Sequence, residues 1–161
     1  MKIARPARVK IIINDRVDIA IAVGADGVHL GQEDMPPQEA RRLLGSTSVI
    51  GYSTHTVEQA RAALVLPIDY LAIGPIFQTR TKEHADAAVG LDMIGQVREL
   101  VGDRQLVAIG GIGENAPAVV KAGADSAALV SYLLEDPELT SFRLRDLLTR
   151  LRPVHNIVAG S

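Results

Sequence analysis

Apolar residues in this chain follow two alternating patterns: short β-branched runs, and longer stretches in which they return every third or fourth position. Residues 9–13 form the first run, closed by Asn14-Asp15, and predict a buried strand ending in a polar loop. Val17, Ala20 and Ile21 then fall at helical spacing over residues 16–23, with Gly24 as the stop. Residues 27–30 are a second strand, with Gly31-Gln32-Glu33-Asp34 as the polar loop at its end. Pro36 opens a helix built on Ala40, Leu43 and Leu44, and Gly45 ends it. Residues 49–52 predict a third strand; Ser53-Thr54-His55-Thr56 then leads into a helix through Leu66, where Thr56 with Gln59 resembles a capping box. A fourth strand is expected over residues 70–77, a helix over 91–101 and a fifth strand over 106–109, followed by the loop Gly110-Gly111-Ile112-Gly113. Asn115 is placed to cap the next helix, with Pro117 in its first turn. A sixth strand follows over 127–130, and 139–151 is an amphipathic helix with Leu144, Leu147, Leu148 and Leu151 on one face.

Six strands alternating with six helices imply a parallel sheet, because parallel neighbours need crossovers and these are normally helices. A repeat supports this. Ala22-Val23-Gly24-Ala25-Asp26-Gly27 and Lys121-Ala122-Gly123-Ala124-Asp125-Ser126 are the same helix-to-strand turn, and Leu66-Pro67-Ile68-Asp69-Tyr70 is a variant of it. The polar loops then share the carboxyl end of the sheet, where α/β barrels bind and transform their ligands. A complete eight-unit barrel usually needs about 200 residues or more. Six units therefore fit either an open doubly wound sheet or a barrel lacking two units, and periodicity does not choose between them.

Composition narrows the chemistry. The 161 residues, 47% hydrophobic and 22% charged, suit one globular domain with a core. A formal net charge of -2 gives no general attraction to nucleic acid or to an anionic membrane, so any anion site must be local. There are no cysteines, which excludes disulfides and thiolate zinc sites. No apolar run approaches the roughly 20 residues of a membrane helix, and residues 1–10 are basic without a signal core, so a cytoplasmic location is expected. Aromatics at 3%, without tryptophan, disfavour stacking platforms.

The stretch Ile73-Gly74-Pro75-Ile76-Phe77-Gln78-Thr79-Arg80-Thr81-Lys82 carries an apolar strand into a loop with two hydroxyls and two cations, a layout suited to an anion such as phosphate. A solvated surface turn would use the same residue types. Gly110-Gly111 and Gly113 let backbone N–H groups approach an anion ahead of a helix, although a Gly-Gly pair also serves simple tight turns. Asp15 reads as a helix cap and Asp34 as a turn residue before Pro36, and each is also a metal-type carboxylate on a loop. His29, among apolar residues on a strand, is expected to hold a structural hydrogen bond, whereas His55 suits capping and ligand contact equally.

Taken in order, Ile13-Asn14-Asp15-Arg16-Val17-Asp18, Gly27-Val28-His29-Leu30-Gly31-Gln32-Glu33-Asp34, Ser53-Thr54-His55-Thr56, Gly74-Pro75-Ile76-Phe77, Thr79-Arg80-Thr81-Lys82 and Ala108-Ile109-Gly110-Gly111-Ile112 resemble the thiamine-phosphate synthase family. The resemblance runs from about Lys10 to Leu134 and is carried by six motifs in sequence, each weak alone. It implies a TIM-type (β/α)₈ barrel, here without the first two β/α units. It implies a transferase of thiamine biosynthesis that joins an aminomethylpyrimidine diphosphate to a thiazole phosphate and releases pyrophosphate. Asp15 and Asp34 would hold Mg²⁺, and Asn14, Ser53 and Lys82 would contact the diphosphate, with Lys82 and Ser53 as the catalytic pair. Thr79, Thr81, Gly111 and the strand end Val130-Ser131 would hold the thiazole phosphate.

One departure from the family matters. The second strand of the family supplies basic residues that grip the diphosphate, and Arg5, Arg8 and Lys10 do not fill that place. The whole of residues 1–161 is expected to be one synthase-like domain, incomplete at its N-terminal side, whose exposed sheet edges offer a route to homo-oligomers. A thiazole phosphate isomerase of the same family and a non-catalytic phosphate-binding remnant are the alternatives. Two metal-type aspartates argue against the isomerase, since isomerisation releases no diphosphate.

Overall fold

A computed structural model describes residues 2–79 and 87–151. Six parallel strands form a single sheet: β1 Ile12–Asn14, β2 Gly27–Leu30, β3 Val49–Thr54, β4 Tyr70–Ile73, β5 Gln105–Ile109 and β6 Ser126–Ala128. Their spatial order is their sequence order. A doubly wound sheet reverses strand order at a switch point, so this order selects the barrel-type arrangement between the two architectures left open by periodicity. The connecting helices are α1 Val17–Val23, α2 Pro37–Leu44, α3 Val57–Ala63, α4 Gly90–Val101 and α5 Ala116–Lys121. After β6 come α6 Ser131–Leu134 and α7 Thr140–Leu151.

Alternation along the strands divides the sheet into two faces. Val28, Leu30, Ile50, Leu71, Ile73, Leu106 and Ala108 are buried and share one core with the helices. The helices present small residues to them, chiefly Ala20, Ala40, Ala60 and Ala63, with Val17, Ile94, Val97 and Val119. The opposite face is more polar and mostly less buried, although Gly51 and Ala72 on it are buried. Register places Asn14, His29, Gly51 and Tyr70 in one row across β1 to β4, and Ser53, Ala72, Val107 and Ser126 in the next row toward the carboxyl end.

Several expectations require correction. The fourth strand ends at Ile73 rather than Phe77, because Gly74-Pro75 interrupts the ladder. The chain nevertheless stays against β5: Ile76 N–H donates to Ile109 O and Phe77 N–H to Gly110 O, and Ile76 is buried. The sixth strand stops at Ala128, so Val130 lies beyond it and Ser131 opens α6 instead of ending a strand. With α6, the described residues hold seven helices rather than six. Asn115 does not cap α5 with its side chain; its Oδ1 accepts the Gly113 N–H at 2.8 Å and tightens the loop ahead of the helix. On α7 the expected apolar face is mostly uncovered: Leu147 is buried, while Leu144 and Leu148 are 42% and 53% exposed.

The opposite, amino-terminal end of the sheet is braced by a repeated device. The carboxylates of Asp26, Asp69 and Asp125 accept the N–H groups of Ile11, Ile50 and Leu106 at 2.8, 2.7 and 2.7 Å. These are the three aspartates of the repeated helix-to-strand turn. Arg41 on α2 reaches Pro67 O and Asp69, and Arg98 on α4 reaches Gly123 O and Asp125. Arg5 donates to Gly24 O in the corresponding place before β2.

Candidate functional site

The polar loops all follow the carboxyl ends of parallel strands, and specific contacts draw them into two groups. The first is centred on His29 in β2. Its backbone carbonyl accepts the Asp15 N–H at 2.8 Å, which ties the end of β1 to β2. Asp15 adopts the left-handed conformation with φ 62°, a backbone state that aspartate tolerates better than most residues. The turn it makes carries the chain out of β1 with its carboxylate exposed. The His29 ring lies between Tyr70, whose hydroxyl is 2.9 Å from Nδ1, and Ser53, whose Oγ is 2.8 Å from Nε2.

The loop after β2 joins the same group. Asp34 Oδ2 accepts the Gly31 N–H at 2.6 Å and closes the Gly31–Asp34 turn. Gln32 Nε2 donates to Ser53 O at 2.5 Å and fastens that loop to the end of β3. Asn14, Asp15, Ser53 and Asp34 therefore stand on three adjacent strand ends linked by His29 and Gln32. The expected turn role of Asp34 is present, and it is compatible with a second use, since each carboxylate oxygen offers more than one acceptor position. The expected helix cap at Asp15 differs in register: Arg16 occupies the N-cap of α1, and its guanidinium turns to Asp18 at 2.5 Å.

The second group lies on β4 to β6. Gly110 and Gly111 have φ of 96° and 64°, and a Cβ on either would collide with the loop after β4, at 2.4 Å from Pro75 Cβ and 2.5 Å from Gln78 O. These glycines are required for the close approach of two loops as well as for the turn itself. The contact sets Gly111 beside the segment that leads into Thr79, which is half-buried. Two residues on, a Cβ at Gly113 would meet Tyr132 of α6 at 3.0 Å, so the loop after β5 also abuts the helix that Ser131 opens. Val130 and Ser131 are exposed at this rim. Thr81 and Lys82 lie outside the described residues.

Two residues of the site were under-read from sequence. His29 has the structural hydrogen bonding expected of it, and it is also the link between Asp15 and Ser53. Tyr70 carried no signal as a site residue. Its ring lies over Gly51, where a Cβ would sit 2.0 Å from Cζ, and stacks on His29 with centroids 5.5 Å apart. The pattern that could have disclosed it is a tyrosine in register with a glycine and a histidine across three strands, which is readable only once pairing is known. His55 has a structural contact, with Nδ1 2.6 Å from Gly74 O, while Thr56 caps α3 and Gln59 Oε1 accepts the His55 N–H. No helix among the described residues is long and apolar enough to cross a membrane.

Comparison with known proteins bears on the whole of this architecture. The family model described as thiamine monophosphate synthase matches residues 1–133. The chain is 49% identical over 138 residues to the thiamine-phosphate synthase of Koribacter versatilis, covering 85% of this chain and 65% of that protein. It is 47% identical over 140 residues to the thiamine-phosphate synthase of Chloroflexus aurantiacus, covering 86% of this chain and 64% of that one. It thus spans a little under two-thirds of the length of both relatives. Among solved structures, the thiamine phosphate pyrophosphorylase from Pyrococcus furiosus superposes with a TM-score of 0.82 at 34% identity, over 93% of this chain and 71% of that chain. Orotidine 5'-phosphate decarboxylase from Pyrococcus horikoshii, at 16% identity and a TM-score of 0.68, shares the fold. With the family model matching most of the chain and the identities this high, the chain belongs to the thiamine monophosphate synthase family.

Proposed function

We propose that the chain acts as a thiamine-phosphate synthase, coupling 4-amino-2-methyl-5-hydroxymethylpyrimidine diphosphate to thiazole phosphate with release of pyrophosphate. The observation that carries this reading is the grouping of polar loops at the carboxyl rim. One group, on β1 to β3, offers carboxylates, an amide and a hydroxyl. The other, on β4 to β6, offers glycine backbone and hydroxyls. Two substrates that each bear a phosphate need two such places, and their joining needs both on one face.

In this reading Asn14, Ser53 and Lys82 hold the diphosphate. Thr79, Thr81, Gly111, Val130 and Ser131 hold the thiazole phosphate. Asp15 and Asp34 hold Mg²⁺, which prefers oxygen ligands and takes few from protein when phosphates and water supply the rest. The donor set fits: two carboxylates on neighbouring strand ends, on the same rim as Asn14 and Ser53. When bound, the ion supplies charge neutralisation to the diphosphate oxygens.

The chain's own residues supply the remainder. The bond between the pyrimidine methylene carbon and the diphosphate oxygen breaks with both electrons leaving on oxygen, and the thiazole nitrogen then bonds that carbon. The electron-rich pyrimidine ring supports the cation in between, so no protein nucleophile is needed. Lys82 and the Ser53 hydroxyl stabilise charge on the leaving group, and the second loop group orients the thiazole nitrogen toward the carbon.

The test is pyrophosphate release from both substrates with Mg²⁺, measured beside Asp15→Asn and Asp34→Asn. Asparagine keeps the left-handed backbone at position 15 and the acceptor of the Gly31 turn at position 34, and removes only the charge. We expect release that requires both substrates and falls by about 10²-fold or more in each variant, in line with loss of a leaving-group stabiliser. Release that is absent from the folded chain, or unchanged in both variants, would reject the assignment.

A further inference from the structure

We propose that His29 and Tyr70 are positioning residues that turn the Ser53 hydroxyl proton toward an anionic group bound at the carboxyl rim. The inference deepens the reading of Ser53 given under Proposed function and rests on it. Register sets His29, Gly51 and Tyr70 side by side on β2, β3 and β4. Only a residue without a side chain at position 51 lets the Tyr70 ring cross β3, and the ring then stacks on His29 at an interplanar angle of 18°. The phenol ends 2.9 Å from Nδ1.

Two linked hydrogen bonds carry the inference, and their directions follow from the imidazole tautomer. Burial raises the Tyr70 phenol above its ordinary value and keeps it protonated. In the proposed tautomer that proton is donated to His29. A phenol donating to Nδ1 leaves the neutral imidazole with its proton on Nε2. Nε2–H then donates to Ser53 Oγ at 2.8 Å, and the Ser53 O–H is left for an acceptor beyond the sheet. The reverse tautomer would draw the serine proton back to Nε2 and present only lone pairs to an anion. The Ser53 main chain is fixed separately, through its carbonyl, by Gln32. In that tautomer the arrangement sets both the place of the hydroxyl and the direction in which it donates.

The test uses the whole chain with ¹⁵N-histidine, read by long-range nitrogen-proton correlation, and titration with inorganic pyrophosphate in the presence of Mg²⁺. In the unaltered chain we expect His29 with Nδ1 bare and Nε2 protonated. Tyr70→Phe keeps the ring over Gly51 and removes the donor, so the Nδ1-protonated form should rise. Pyrophosphate affinity should fall roughly tenfold, the scale of one hydrogen bond to a charged group. Ser53→Ala should cost a similar factor, and the double variant should bind no more weakly than Ser53→Ala alone.

A bare Nε2 in the unaltered chain, losses that add in the double variant, or no pyrophosphate binding at all would overturn the proposal. The unaltered spectrum decides the tautomer even if Tyr70→Phe fails to fold. A chain that binds pyrophosphate with these properties but does not release it from the two substrates would refute the synthase reading and leave this one standing.

Discussion

Asp18 shows how a short-range contact acts on a single group. The Arg16 guanidinium bonds its carboxylate and holds it down at about 2, from an ordinary 3.8. The sign follows from linkage: the folded chain binds this proton later than the unfolded one, so the contribution is present above 3.8 and is lost as the pH falls through about 2. Both partners are well exposed, at 61% and 66%, so salt must screen the pair. A carboxyl titration followed by NMR should place Asp18 near 2 at low ionic strength, and added salt should move it back toward 3.8. Residue-scale chemistry of this kind was only partly legible. The motif residues Asn14, Asp15, Ser53 and Asp34 could be named from sequence because their types and order are distinctive. Tyr70 could not, because its role arises from Gly51 standing beside it on another strand.

At the scale of elements, strand and helix order was readable because buried parallel strands are short β-branched runs and the helices between them keep a clear period. Boundaries failed where the apolar pattern outlasted the regular structure. Ile76 is as buried as any strand residue although the ladder has already broken at Gly74-Pro75, so hydrophobicity carried the expectation too far. In α7 the period was right and the burial was not, since spacing shows that four leucines share a face without showing that the face is covered. The two consequences differ sharply. Leu147→Ala should cost about 2–4 kcal/mol in denaturant unfolding through the cavity it leaves, and Leu148→Ala, on a half-exposed position one residue on, should stay within about 0.5 kcal/mol.

Across the whole molecule, the two ends of the sheet do different work. The carboxyl rim carries the candidate chemistry, and the amino end carries the Asp and Arg braces, the division expected of barrel-type folds. Arg98 is the clearest member: it bonds the carbonyls of Gly102, Arg104 and Gly123 and the carboxylate of Asp125. Replacing it by alanine removes four contacts at once and should lower unfolding free energy by roughly 1.5–3 kcal/mol. Arg42, 75% exposed and paired with Glu39 one turn away on the same helix, should be replaceable within about 0.5 kcal/mol. Pyrophosphate affinity should be unchanged in both variants, because neither residue stands at the rim. A fall in affinity with Arg98→Ala would show that the two ends are coupled.

Those braces also have a period. Each aspartate of the repeated turn joins the strand it precedes to the strand before it, so β1 is tied to β2, β3 to β4 and β5 to β6. Arg41 and Arg98 then bridge from the second helix of one pair to the turn of the next. The aspartate braces thus group the strands in twos along a backbone ladder that is continuous from β1 to β6. Amide hydrogen exchange should follow that grouping, with partial opening events releasing strands in twos and with the N–H groups of Ile11, Ile50 and Leu106 exchanging in step with their partner strands.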